Sequence, residues 1–222
     1  MMLNRDKQIM QEFDTYIFDL DGTLLDTLQD LAASTNYALR SSGLPERTLD
    51  EVRSFLGNGM RRLIELAVPG GESHPQFETV LDTFHQHYQQ HSLDLTGPYP
   101  GVTDLLARLR QHGKRVAVVS NKFDSAVRDL MSHFFPGLVE TAIGERAGIR
   151  RKPAPDTVEE ALRQLGVGKE GAVYVGDSEV DYQTACNSGL PCISVLWGFR
   201  SKDFLMRHGA TLFVSRPEEI YP

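Results

Sequence analysis

The chain has 222 residues, of which 41% are hydrophobic, and its 23 Lys+Arg against 30 Asp+Glu give a formal net charge of −7. That length suits one domain, or a domain that carries a smaller insert, with a sizeable core. The acidic balance argues against binding nucleic acid through bulk electrostatics. An anionic substrate would need positive charge assembled locally, from a metal ion or from a few basic side chains.

The segment from Met1 to Asp14 is polar and charged, and it lacks the apolar centre of a signal peptide. The sequence contains no run of about 18 apolar residues, which a transmembrane helix would need. The two cysteines, Cys186 and Cys192, fit neither a disulfide framework nor a zinc site, and we expect buried, reduced thiols. These features predict a cytoplasmic protein without a membrane partner.

Short apolar runs alternate with amphipathic stretches through most of the chain. Strands are predicted at 16–18, 115–119, 172–175, 192–196 and 211–214. Several of these runs are apolar on both faces, as is typical of central strands in a parallel sheet covered by helices. Helical spacing at 102–109 and 156–165, each followed by a glycine, predicts helices between strands. The alternation predicts an α/β fold with a doubly wound, Rossmann-like parallel sheet.

The stretch from Leu25 to about Leu95 shows helical periodicity only. It contains four apolar stripes, at 28–39, 52–56, 60–67 and 77–88, and Thr48-Leu49-Asp50-Glu51 has the spacing of a capping box. The sheet resumes after 96–101, a linker rich in Gly and Pro. We therefore predict an all-helical insert at 25–96, within a discontinuous core made of 1–24 and 97–222.

Polar motifs follow the predicted strands, at the edge of a parallel sheet where ligands bind. The first motif, Asp19-Leu20-Asp21-Gly22-Thr23, places two carboxylates two residues apart at the end of the first strand, so both can face one point. Like charges this close are costly unless they share a cation or a proton. The same residue types are also common in ordinary turns.

Three further motifs are individually weaker. Ser120-Asn121-Lys122 offers a hydroxyl that can donate to a phosphate oxygen, or that can cap a helix. Lys152, held before Pro153-Ala154-Pro155, can place a fixed positive charge, although a solvated loop lysine is the simpler interpretation. Gly176-Asp177, with Asp181 four residues later, offers oxygen ligands of the type that Mg²⁺ prefers.

Together the four motifs resemble those of the haloacid dehalogenase-like hydrolase superfamily, over nearly the whole chain, and the helical insert resembles that family's cap domain. The resemblance implies that Asp19 is the nucleophile, which forms an aspartyl-phosphate, and that Asp21 is the general acid and base. It implies phosphate binding by Ser120, Asn121 and Lys152. It also implies a Mg²⁺ ion held by Asp19, the Asp21 carbonyl and Asp177, with Asp181 in support.

The substrate is indicated less specifically. Within the superfamily the chain looks most like the phosphoglycolate phosphatase branch, which converts 2-phosphoglycolate to glycolate and phosphate. A pyrophosphatase, a sugar-phosphate phosphatase and a β-phosphoglucomutase stay open as alternatives. In each case the partner would be a small-molecule phosphate, and we expect a monomer or a weak homodimer.

The insert is expected to contact this substrate through its glycine loop, Gly57-Asn58-Gly59, and through Arg61. A plain interhelical turn is the alternative for that loop. A substrate carboxylate would need a cationic partner. The candidates are Arg61, Arg62, Lys122 and Arg200.

Overall fold

The computed structural model describes residues 13–221. The strands of this part of the chain are β1 (Thr15–Phe18), β2 (Leu25–Asp26), β3 (Gly97–Pro98), β4 (Arg115–Phe123), β5 (Thr141–Glu145), β6 (Ala172–Gly176), β7 (Cys192–Val195) and β8 (Phe213–Val214). Six of them form a parallel sheet in the order β5-β4-β1-β6-β7-β8. Because β1 pairs with β4 on one side and β6 on the other, the carboxyl ends of these three strands are neighbours.

The insert between β2 and β3 is helical. Its helices are α1 (Leu28–Ser41), α2 (Leu49–Phe55), α3 (Met60–Ala67) and α4 (Phe77–His91), with a short 3₁₀ helix at Gly71–Ser73. Their buried side chains form a hydrophobic cluster of their own, separate from the clusters beside the sheet. The predicted capping box begins α2, where the Thr48 hydroxyl accepts from the Glu51 N–H and the Glu51 carboxylate accepts from the Thr48 N–H.

The sheet is covered by helices on both faces. These helices are α5 (Val102–Gln111), α6 (Asp124–Phe134), α7 (Asp156–Leu165), α8 (Glu179–Ser188) and α9 (Lys202–Arg207), followed by a 3₁₀ helix at Pro217–Glu219. Tyr16 and Phe18 pack into one hydrophobic cluster, and Ile17, between them, packs into another. Successive side chains of a strand point to opposite faces, so β1 is buried on both. The predicted doubly wound α/β fold with an inserted helical cap is confirmed.

Three strands differ from the sequence prediction. β5 was not predicted, because its five residues contain only two apolar ones, Ala142 and Ile143. β2 and β3 pair antiparallel where the chain enters and leaves the cap, in a stretch predicted to hold only helices and a linker. A strand of two residues shows no periodicity that sequence analysis could detect. The domain division at 24/25 and 96/97 stays a prediction.

β4 is longer than predicted. It continues past Val119 to Phe123, with a shift of register against β5 between those residues. Ser120, Asn121 and Lys122 therefore lie within the strand and not after it. The pairing of β4 with β5 is irregular over these three residues.

Among the described residues, no helix is long and apolar enough to cross a membrane. The expectation that no signal peptide is present concerns mostly residues 1–12, which lie outside the described residues. Both cysteines are free, but Cys186 is exposed and Cys192 is half-buried, so the prediction of two buried thiols is wrong. Cys186 lies on the side of α8 that faces away from its buried residues.

Candidate active site

The carboxyl ends of β1, β4 and β6 bring the predicted site residues together. Asp19 directly follows β1, and Asp177 directly follows β6. Ser120 lies in the last part of β4. Lys152 comes from the loop between β5 and α7, and Asp181 from the first turn of α8, where it completes a capping box with Ser178. Residues far apart in the chain thus form one polar cluster beneath the cap.

Lys152 is the central cation of this cluster. Its Nζ donates to Asp19 Oδ1 at 2.7 Å, to Asp181 Oδ1 at 2.8 Å and to the Tyr174 hydroxyl at 3.2 Å. Burial acts to lower the pKa of this lysine, but the carboxylates of Asp181 and Asp19 outweigh it and raise the pKa. The ammonium group is therefore charged, and two of its three contacts are to carboxylates.

Three aspartates lie close together beside the Lys152 side chain. Asp19, Asp177 and Asp181 each offer a carboxylate oxygen within 4.8 Å of the other two. Burial, followed by repulsion from Asp181, raises the pKa of Asp19 well above its usual value and that of Asp177 to about 7. The pKa of Asp181 is lowered despite its burial, because Lys152 stabilises its ionised form. This concentration of buried carboxylates favours a bound cation.

Asp177 is held in place from two sides. The Thr23 hydroxyl donates to its Oδ1 at 3.0 Å, and the Phe199 N–H donates to its Oδ2 at 2.7 Å. Two glycines leave room for it, because a Cβ on Gly22 would lie 2.5 Å from Asp177 Oδ2 and a Cβ on Gly198 would lie 2.3 Å from Asp177 Cβ. The loop after β7 thus helps to place an acidic group that follows β6.

Asp21 contacts a second buried lysine. Its Oδ1 accepts from the Thr27 hydroxyl at 2.7 Å and lies 3.0 Å from Lys122 Nζ. Lys122 Nζ also donates to the hydroxyl of Tyr88, in α4 of the cap, at 2.8 Å. Burial acts to lower the pKa of Lys122, but Asp21 and then Tyr88 outweigh it, and the pKa is raised. Lys122 is therefore a charged group shared between the core and the cap.

Asn121 joins the cap loop to the loop of Lys152. Its Nδ2 donates to the Gly57 carbonyl at 3.2 Å and to the Lys152 carbonyl at 3.1 Å, while its Oδ1 accepts from the Lys152 N–H at 2.8 Å. A Cβ on Gly59 would lie 3.3 Å from the Asn121 carbonyl oxygen, so the glycine loop approaches β4 closely. Asn121 thereby positions both Lys152 and the cap loop.

Arg200, in the core, forms a second set of contacts with the cap. It is held by Glu179 at 2.9 Å and donates to the carbonyls of Arg53 at 3.0 Å and Leu56 at 2.6 Å. These carbonyls lie at the carboxyl end of α2, where helix carbonyls lack partners within the helix. Arg200 therefore binds cap backbone, and its guanidinium is committed to that contact.

A small cavity lies between the cap and the polar cluster, with about 40 Å³ available to the centres of water molecules. The cap side of the cavity is formed by Leu31, Leu56, Gly57, Gly59, Met60 and Leu63. The core side is formed by Asp19, Asp21, Ser120, Asn121, Lys122 and Lys152. The cavity is thus apolar towards the cap and highly charged towards the sheet.

Arg61 does not reach this cavity. Its guanidinium binds Glu72 at 2.7 Å and Glu78 at 2.8 Å, and its side chain is 45% exposed. Arg62 likewise pairs with Glu65 on the cap surface. Asn58 is not among the residues that line the cavity. Neighbouring cap glutamates therefore hold these two arginines away from the site.

Sequence analysis missed the residues that hold the charged groups in place. Tyr88 belongs to an apolar stripe of α4, and Tyr174 belongs to an apolar strand. The sequence pattern therefore indicated two hydrophobic core residues and gave no role to their hydroxyl groups. Their hydroxyls bind Lys122 and Lys152, respectively. A tyrosine within an otherwise apolar run is the one signal that could have found them, because a buried hydroxyl needs a partner.

Comparison with known proteins gives one consistent result. Residues 16–195 match the family of haloacid dehalogenase-like hydrolases. Phosphoglycolate phosphatase 1 of Pseudomonas aeruginosa is 31% identical over 212 residues, which cover 93% of this chain and 78% of that protein. A phosphoglycolate phosphatase of Cereibacter sphaeroides is 37% identical over 191 residues, which cover 83% of this chain and 85% of that protein.

Solved structures agree with the sequence comparison. A protein of Lactobacillus delbrueckii subsp. bulgaricus, described as a candidate phosphoglycolate phosphatase, superposes with a TM-score of 0.90 at 40% identity. The superposition covers 94% of this chain and 97% of that one. The chain is an enzyme, and it belongs to the haloacid dehalogenase-like hydrolase family.

Proposed function

We propose that this enzyme is a Mg²⁺-dependent phosphatase that hydrolyses 2-phosphoglycolate to glycolate and phosphate through an aspartyl-phosphate on Asp19. It is a phosphoric monoester hydrolase, the class to which its curated relatives named phosphoglycolate phosphatase belong. The observation that carries the proposal is that Asp19 lines the cavity between cap and core and lies 2.7 Å from the Lys152 ammonium. The enzyme would act in the cytoplasm on a small molecule, as a monomer or a weak homodimer.

The donor set suits a divalent cation with oxygen ligands. The carboxylates of Asp19, Asp177 and Asp181 lie together beside one ammonium group, that of Lys152, so a divalent cation would offset the excess of negative charge. Asp19, Asp177 and the Asp21 carbonyl would hold it. Both oxygens of Asp181 already accept hydrogen bonds, from Lys152, Tyr174 and Ser178, so Asp181 supports the site by holding Lys152. When bound, Mg²⁺ would shield Asp19 from the charge of the phosphate.

Each side chain of the site has a role in the proposed reaction. An Asp19 oxygen attacks phosphorus and displaces the alkoxide, and the carboxyl of Asp21 protonates that leaving oxygen. Asp21 then takes a proton from water, which attacks the aspartyl-phosphate and releases phosphate and free Asp19. Lys152 and the Ser120 hydroxyl would hold the non-transferred phosphate oxygens throughout.

The size and the lining of the cavity favour a small substrate. About 40 Å³ for the centres of water molecules leaves little room beyond a phosphoryl group and a leaving group of a few atoms. The apolar side chains of Leu31, Leu56 and Met60 offer no hydrogen bonds to the hydroxyl groups of a sugar. These features support 2-phosphoglycolate over a sugar phosphate.

A substrate panel tests this proposal. With Mg²⁺ present, we expect kcat/KM for 2-phosphoglycolate to exceed that for glucose 6-phosphate, glucose 1-phosphate and pyrophosphate by at least about tenfold, or ~1.4 kcal/mol of transition-state binding. Phosphate release is the measurement, and a chelator should stop it. A value for 2-phosphoglycolate no better than that for the sugar phosphates would contradict the assignment of the substrate.

Gly198→Ala tests the placement of Asp177. The added Cβ would lie 2.3 Å from Asp177 Cβ and 2.4 Å from the Gly22 carbonyl oxygen, so Asp177 must move. A displacement of about 1 Å at a reacting site can cost about 100-fold in rate, and we expect a fall in kcat/KM of that order with a higher Mg²⁺ requirement. Gly97→Ala is the matched control, because nothing lies within 4 Å of its Cβ. Equal activity of the two variants would contradict this role of the Gly198 loop.

A further inference from the structure

We propose that Lys122 is the residue that binds the carboxylate of the substrate, so that the enzyme selects phosphate esters of small α-hydroxy acids. The inference rests on the proposed phosphatase function and assigns the side chain that defines its substrate class. A carboxylate buried next to a phosphate needs a cation of its own, because two anions in one small cavity repel each other.

The cap cannot supply that cation. Every described residue that the cap contributes to the cavity is apolar or glycine. Arg61 and Arg62 bind glutamates on the cap surface, and Arg200 binds cap carbonyls and Glu179. Of the described residues that line the cavity, Lys122 and Lys152 carry the positive charge.

The two lysines serve different ends of the cavity. Lys152 contacts Asp19, the proposed nucleophile, so it lies where the phosphoryl group must bind. Lys122 lies 3.0 Å from Asp21, the group that would protonate the leaving oxygen. In an ester of an α-hydroxy acid, the carboxylate carbon is only two bonds from that oxygen. When the leaving oxygen of the substrate lies beside Asp21, the carboxylate of the substrate therefore lies next to Lys122.

Lys122 has a donor available for this contact and is held in position for it. An ammonium group has three N–H donors, and the contacts to Asp21 and Tyr88 account for two. Tyr88 also places its ring 4.6 Å from the ammonium, and the lysine as a whole is 3% exposed. A buried, oriented cation loses little conformational freedom when it binds a carboxylate. Lys122 therefore favours substrates that carry a carboxylate over substrates that lack one.

Lys122→Met tests the proposal with two substrates that differ only in the group attached to the ester CH2. Ethyl phosphate differs from 2-phosphoglycolate by a methyl group in place of the carboxylate. A hydrogen bond to a charged group contributes about 1.5–3 kcal/mol, so we expect the ratio of kcat/KM for 2-phosphoglycolate over ethyl phosphate to fall about 10- to 100-fold. Tyr88→Phe removes only the hydroxyl that orients Lys122, and the same ratio should fall about two- to tenfold. Circular dichroism and thermal unfolding establish that each variant folds.

Lys169→Met is the control for loss of a lysine charge from an acidic protein, since Lys169 pairs only at the surface with Glu159. It should leave the ratio at the wild-type value. An unchanged ratio in Lys122→Met, whether both substrates lose activity equally or neither does, would overturn the proposal, and equal losses would show that Lys122 only positions Asp21. If Lys122→Met does not fold, an unchanged ratio in Tyr88→Phe overturns it. A wild-type enzyme without preference for 2-phosphoglycolate would instead contradict the proposed function.

Discussion

Asp19→Asn is expected to abolish turnover while leaving the fold intact. Asn matches Asp in size, but its amide is a poor nucleophile and cannot form the acyl phosphate. Removal of a nucleophile in a covalent mechanism costs several orders of magnitude, and we expect kcat to fall by more than about 1000-fold. Phosphate release from 2-phosphoglycolate in the presence of Mg²⁺ is the measurement. A variant that kept a tenth of the wild-type rate would rule out the covalent role of Asp19.

The stability of the same variant gives a second, independent result. Burial raises the pKa of Asp19, so ionising this group weakens the folded state as the pH rises through its folded pKa. A neutral Asn removes that penalty, and in a chelator at pH 7 the midpoint of thermal unfolding should equal or exceed that of the wild type. Asp203→Asn, at an exposed position of α9, is the control for loss of a carboxylate. A large drop in the midpoint for Asp19→Asn would mean that lost activity reflects unfolding.

Lys152→Met is expected to lose both activity and stability. The substitution leaves the buried carboxylates of Asp19 and Asp181 without their shared cation. Breaking a buried ion pair from one side costs about 3–5 kcal/mol, and we expect the free energy of unfolding to fall by that amount in urea titrations. Activity should fall by at least about 100-fold, because the phosphoryl oxygens lose a fixed positive charge.

A double variant separates the two effects of Lys152. In Lys152→Met with Asp181→Asn, one carboxylate is neutralised together with its cation, so part of the lost stability should return. Activity should stay low, because no lysine is left to hold the phosphate. Such coupling between contacting residues is expected to be non-additive in stability. Recovery of activity along with stability would contradict the proposed role of Lys152 in phosphate binding.

The convergence of the site residues was predictable from the sequence because of a general property of parallel sheets. Asp19 and Asp177 follow strands that are apolar on both faces, and the carboxyl ends of such strands share one edge. The helical insert was predictable because stripes repeating at helical spacing, such as that of α4, give a strong signal. β5 escaped detection because its pairing with β4 stabilises it, while its own residues carry little apolar pattern.

The sequence alone was enough to predict the fold class, the inserted cap and the set of polar residues at one edge of the sheet, since periodicity and strand ends are local properties. Only the tertiary structure distinguished Lys122 from Arg61, Arg62 and Arg200. Each of these side chains is long and flexible, and its direction depends on which acidic group or carbonyl lies nearby after folding. Glu72 and Glu78 hold Arg61 at the surface, whereas Asp21 and Tyr88, 101 and 34 residues away in the chain, hold Lys122 in the cavity.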